Sequence, residues 1–187
     1  MQYYLPSKGS SCTLVLQING SQLPATALAF SLDGYLVYSV DSSTQARVLN
    51  NITLAPAQWG PKRVYNANNL YNGMMNTINI IATSAPFGAA VSCYNIDNTG
   101  TWFLPAICEF GPSNLDTCAG SPSFASLISL GFYNPPVNET MFFSSTQQPD
   151  NPINAAYTAN LSRNNFLWTY QFKNDAFPVL CAKSITY

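Results

Sequence analysis

"NTGTWFLPAICEFG" (residues 98–111) sets an aromatic pair and a Leu-Pro step directly before a single cysteine and a single glutamate. Pro105 suits the first turn of a helix, where a missing N–H is no loss and a fixed φ is already helical. Trp102, just ahead of it, is large enough to bury a wide apolar area. The stretch therefore reads as core leading into a short helix that begins at Pro105. Glu109 falls in the first turns of that helix, where a carboxylate accepts orphan backbone N–H groups or answers the helix dipole. A catalytic role needs a partner, since retaining glycosidases set two carboxylates about 5 Å apart. None of clear identity lies nearby in sequence. Glu109 is read as scaffolding, and function is sought elsewhere.

The composition narrows where to look. A chain of 187 residues has the size of one ordinary domain, or of one domain with an appended segment, and is long enough for a sizeable core. Charged residues make up 8% of it, against roughly 25% in an average protein. Asn, Ser, Thr, Gln and Tyr carry the missing polarity. Such a surface suits an extracellular protein and has little self-repulsion, so association between copies is expected. There is no histidine, which removes the commonest general base, the Ser-His and Cys-His nucleophile pairs and the commonest transition-metal ligand. No catalytic residue, metal or cofactor is assigned, and the chain is read as a non-enzyme. Its seven cations form no basic block, which argues against a nucleic-acid groove. No apolar run approaches the ~18 residues of a membrane span. The start "MQYYLPSKGS" lacks the charged and apolar regions of a signal peptide, so a secreted form would be a mature chain or a fragment. Five cysteines at 12, 93, 108, 118 and 181 make no C-x-x-C pair; they read as two disulfides with one left over, in an oxidising compartment.

Along the chain, residues 1–11 read as a flexible arm and 12–60 as a β-rich segment. "TLVLQI" (13–18) and "YLVYSV" (35–40) are β-branched and aromatic runs bounded by Asn-Gly and Asp-Gly turns. "RVLNNITLA" (47–55) is a third strand, and 56–76 a long connection. The first helix is expected near Ser84 as N-cap, with Phe87, Ala90, Val91 and Tyr94 on its buried face. A second begins at Pro105 and a third spans "FASLISL" (124–130), ended by Gly131. Strands follow at 141–147, 155–162, 166–172 and 179–185. The order of elements is that of an α+β protein.

The succession "NGMMNTINII", "FGAAVSCYN", "GTWFLPAICEFG", "FFSSTQ" and "VLCAKSIT" resembles the C-terminal domain family of the Legionella collagen-like adhesin. Members of that family read N-T-x-x-I, A-A-x-x-C, W-x-L-P-x-x-x-E, an aromatic pair before S-S-T, and a V-R-C-x-R strand. The likeness covers about residues 72–187. It implies a C-type-lectin-like fold over 61–187, with short helices packed on a twisted antiparallel sheet. It also implies disulfides Cys93–Cys181 and Cys108–Cys118, leaving Cys12 over. Phe143 stands where the family has Trp, and Leu180 and Lys183 stand where it has two arginines, so the last strand is less basic.

The resemblance further implies an extracellular adhesin domain on a bacterial surface. It would bind host or matrix polysaccharide, sulfated glycosaminoglycan among them, and form a homo-trimer. The stretch "WGPKRVYNANNLYNG" (59–73) puts Lys62 and Arg63 beside Trp59, Tyr65 and Tyr71; aromatic faces next to cations suit glycans, sulfated ones above all. Lys62, Arg63, Tyr65, Arg163 and Lys173 are the expected ligand-binding residues. "QPD" (148–150) matches the sugar loop of calcium-dependent lectins, but calcium needs six to eight oxygens, and a turn accounts for the same letters. The competing reading is a self-associating subunit of a surface filament or pilus-like assembly.

Overall fold

The computed structural model describes residues 31–32, 35–42, 44–50, 52–83, 87–97, 99–111, 118, 123–129, 131, 133–135, 141–162 and 165–186. The arm, the expected strand at 13–18, Cys12, Arg163 and the expected helix start at 84–86 lie outside them. Among the described residues, three antiparallel sheets carry the fold. The largest has the order β1-β2-β3-β10-β5, built from Ser31–Leu32, Tyr35–Ser42, Gln45–Leu49, Ala182–Thr186 and Trp102–Phe103. A two-stranded ribbon pairs β4 (Leu54–Gln58) with β9 (Ala176–Val179), and β6 (Met141–Gln147), β7 (Ala155–Ser162) and β8 (Asn165–Phe172) form a meander. With helices α1 (Gly73–Ala82), α2 (Ala89–Tyr94), α3 (Ile107–Phe110) and α4 (Ala125–Ser129) the chain is α+β.

Strand pairing crosses the boundary drawn at residue 60. Ala182 to Thr186 run antiparallel to Leu49 to Gln45, and Val179 sits opposite Leu54. The single strand expected at 47–55 is two, β3 and β4, each in a different sheet. The last strand expected at 179–185 also breaks, at Leu180 and Cys181, so that β9 and β10 serve different sheets.

The helices depart further from expectation. The stretch 56–76, expected to be a connection, holds the end of β4 and the start of α1. α1 buries Gly73, Asn76, Thr77 and Ile80 while Met75 and Ile78 are exposed. Its buried face is largely polar, the reverse of the amphipathic pattern that betrays a helix in sequence. α2 starts after Gly88 and buries Ala89, Ala90 and Cys93, whereas Phe87 is 49% exposed. Gly88 has φ +124°, and a Cβ there would meet the Trp59 carbonyl oxygen at 2.6 Å. The small face of α2 and this glycine let the helix lie close on the chain at Trp59.

Two main cores result. One joins Tyr38 and Leu49 to Phe103, Ile107, Phe124 and Phe142; the other joins Trp59 and Tyr65 to Ala90, Trp102, Phe143 and Val179. Disulfides tie α2 to the β9–β10 junction (Cys93–Cys181, Cα–Cα 5.4 Å) and α3 to Cys118 (Cys108–Cys118, Cα–Cα 5.2 Å). In the chain-entropy account the 88-residue closure stabilises by about 4–5 kcal/mol and the ten-residue one by about 2–3. Disulfides of this kind persist in oxidising compartments. Among the described residues no helix is long and apolar enough to cross a membrane.

Candidate functional site

Glu109 is 2% exposed and its carboxylate gathers donors from four elements. Oε2 accepts the N–H of Ala106, at the start of its own helix (2.8 Å), and that of Gly73, at the start of α1 (3.0 Å). Oε1 accepts Arg47 Nη1 from β3 (2.6 Å) and the Tyr38 hydroxyl from β2 (3.1 Å). One carboxylate thus caps two helices and ties them to the large sheet. Burial raises the Glu109 carboxyl above the usual range, against Arg47, the Ala106 N–H and the Tyr38 hydroxyl, which favour its ionised form. The Tyr38 hydroxyl is pushed well above its ordinary value by burial and by the Glu109 charge, so it stays a donor. Arg47 also grips Asp41, through Nε to Oδ2 and Nη2 to Oδ1, both at 2.9 Å.

The other motif residues form a polar seam beside this hub. Asn76 Nδ2 donates to the Asn69 carbonyl (2.7 Å) and to Ser145 Oγ (3.2 Å), and its Oδ1 accepts the Asn69 N–H (3.0 Å). Thr146 Oγ1 accepts the Ile107 N–H and donates to the Asn69 carbonyl; Thr77 Oγ1 accepts the Leu104 N–H. These side chains satisfy backbone groups of Asn69, Leu104 and Ile107, which lie outside the strand ladders and would otherwise go unpaired. Gly73 completes the fit: a Cβ on it would lie 2.5 Å from the Leu104 carbonyl oxygen and 2.6 Å from Glu109 Oε2.

Of the expected ligand residues, the structure brings Arg63, Tyr65 and Lys173 together, but Tyr65 and Lys173 belong to the interior. Lys173 is fully buried. Its ammonium donates to the carbonyls of Pro152 (2.6 Å) and Arg63 (2.7 Å) and lies over the rings of Trp59 (4.3 Å) and Tyr65 (4.8 Å). Burial pulls this lysine down to about 7, while the ring faces and carbonyls favour the ammonium. Tyr65 is 1% exposed and its hydroxyl donates to the Pro61 carbonyl. Lys173 and Tyr65 therefore hold the loop from below and present no charge or hydroxyl to a ligand. Lys62 and Arg63 are exposed, with the Arg63 guanidinium 5.2 Å from the Tyr65 ring centre.

Lys183 is bound to Asp97 Oδ2 at 2.9 Å. The Thr99 hydroxyl and Lys183 hold Asp97 well below the usual carboxylate range. Lys62 and Arg63 are thus the only exposed cations without a carboxylate partner among the described residues. In the "QPD" turn, Gln148 donates to Asp150 Oδ2 at 3.2 Å.

A groove not anticipated from sequence opens where α1 begins. Its deeper part, about 240 Å³, is lined by Asp41, Arg47, Glu109, Tyr71, Asn72 and Ser184, among others. It shares Asn72, Met74 and Ser184 with a more open part of about 420 Å³ that runs along Met75 and Ile78. Ser184 sits opposite Arg47 in the β10–β3 register, and Tyr71 is 48% exposed. Only the Tyr-Asn pair before α1 gave a local hint of it. No family model matches the chain, and no curated protein or solved structure is significantly similar to it.

Proposed function

We propose that the chain is an extracellular, C-type-lectin-like adhesin domain of a bacterial surface protein that binds polysaccharide, sulfated glycosaminoglycan in particular, and works by binding rather than catalysis. The observation that carries this reading is the loop at Lys62 and Arg63. Two adjacent exposed cations stand on a stretch anchored by two aromatic rings and by a buried lysine whose ammonium donates to the Arg63 carbonyl. A loop anchored in this way loses little freedom when it meets a sulfate. Two cations make a weak site, so a homo-trimer would supply avidity. The short helices, antiparallel sheets and the Cys93–Cys181 bridge between α2 and the β9–β10 junction support the lectin-like assignment.

A glycan array with sulfated and unsulfated polysaccharides tests this reading. Retention of sulfated chains that weakens as salt rises is expected; no retention at low salt contradicts it. One observation favours self-association as a second reading. β8 forms an edge of its sheet among the described residues, "NFLWTYQF" carries no charge, and Leu167, Tyr170 and Phe172 are exposed. Uncharged edges invite strand addition. Mass determination by light scattering separates the two: a closed trimer fits the adhesin, an open polymer the filament.

A further inference from the structure

We infer that the groove at the start of α1 is a second binding site, for an uncharged saccharide. The inference shares its ligand class with the adhesin reading and none of its residues. Three N–H groups of Arg47, which lines the groove, are directed at Asp41 and Glu109, which leaves two of its five unused among the described residues. Asn72 uses Oδ1 on the Met75 N–H and keeps its Nδ2 donors. The Ser184 hydroxyl, exposed on β10, both donates and accepts. Asp41 adds carboxylate acceptors held in place by Arg47. Donors and acceptors are therefore interleaved, as vicinal sugar hydroxyls require, because each hydroxyl gives one hydrogen and takes others.

The charge balance decides between ligand classes. Two carboxylates line the groove against one guanidinium, so a sulfate or uronate meets excess negative charge and an uncharged sugar does not. Tyr71 offers a half-exposed ring as a stacking face for sugar C–H groups. Arg47 and Glu109 are fixed by the hub, so the polar wall needs no ordering on binding.

Amide chemical-shift mapping tests the site, with neutral hexasaccharides of glucose, galactose, mannose and N-acetylglucosamine as probes and heparin in parallel. At least one neutral probe is expected to move the amides of Tyr71, Asn72 and Ser184, and high salt should not reverse it. Tyr71→Ala should weaken that binding about tenfold or more, and Tyr71→Trp, which keeps a ring face, should retain it. The double variant Lys62→Ala/Arg63→Ala should leave it unchanged while abolishing heparin shifts. The inference is overturned if none of the four probes moves groove amides, or if salt or the Lys62/Arg63 variant removes the effect. Neutral binding without heparin binding would end the sulfate reading and leave the groove standing; heparin binding alone would do the reverse.

Discussion

Glu109 and Lys173 are both charged residues buried in the interior, and the fold handles them differently. Glu109 meets a formal countercharge, Arg47, together with a hydroxyl and two backbone N–H groups. Among the described residues Lys173 has no carboxylate partner and is met by two carbonyl dipoles and two ring faces. The carboxylate joins four elements through one side chain, whereas the lysine fastens one loop to the turn at Pro152. Removing the first takes one of two carboxylates from Arg47 and orphans two helix starts. Removing the second orphans two carbonyls but also relieves an ammonium that burial already disfavours.

The largest effect should therefore follow Glu109→Ala, which leaves the half-buried Arg47 without one of its two carboxylate partners and two buried N–H groups without an acceptor. A loss of about 3–5 kcal/mol in urea unfolding at neutral pH is expected; a loss under about 1 kcal/mol would mean that the hub does not join the elements. Gly73→Ala strikes the same hub by crowding alone and should cost about 1–3 kcal/mol, with Glu109 chemically intact. Near-normal stability there would show that the α1 start can shift. Lys173→Met keeps the bulk of the side chain and should cost about 1–3 kcal/mol, less than the Glu109 variant. The reverse order would break the comparison.

The two centres also separate by pH. The folded Lys173 lies at about 7 and an unfolded lysine near 10.5. Between those values the unfolded chain binds more protons, so stability rises with pH across that window. Unfolding free energies from neutral pH to mildly alkaline pH should climb in the natural chain and climb less in Lys173→Met. Equal slopes would place the lysine outside any pH dependence.

How legible all this was in sequence depends on how local each cause is. β6 and β7 could be placed from their own residues, at 141–147 and 155–162. Glu109 could be read as the carboxylate at a helix start because its bond to the Ala106 N–H spans three residues. Its partners Tyr38, Arg47 and Gly73 come from 71, 62 and 36 residues away, and nothing local announces them. α1 stayed hidden because its inward face is Asn76 and Thr77, whose partners are backbone groups of distant loops. Lys173 is expected from sequence among the ligand-binding residues. Its burial is set by Trp59 and Tyr65, more than a hundred residues earlier, which its own neighbours in sequence do not announce.

The central claim is a division of labour: buried charges hold the scaffold, and exposed ones on the loop meet the ligand. Heparin retention of Lys62→Ala/Arg63→Ala, measured with its unfolding free energy, tests it most directly. Stability should stay within about 0.5 kcal/mol of the natural chain while low-salt retention is lost. Full retention by a folded double variant would contradict the account.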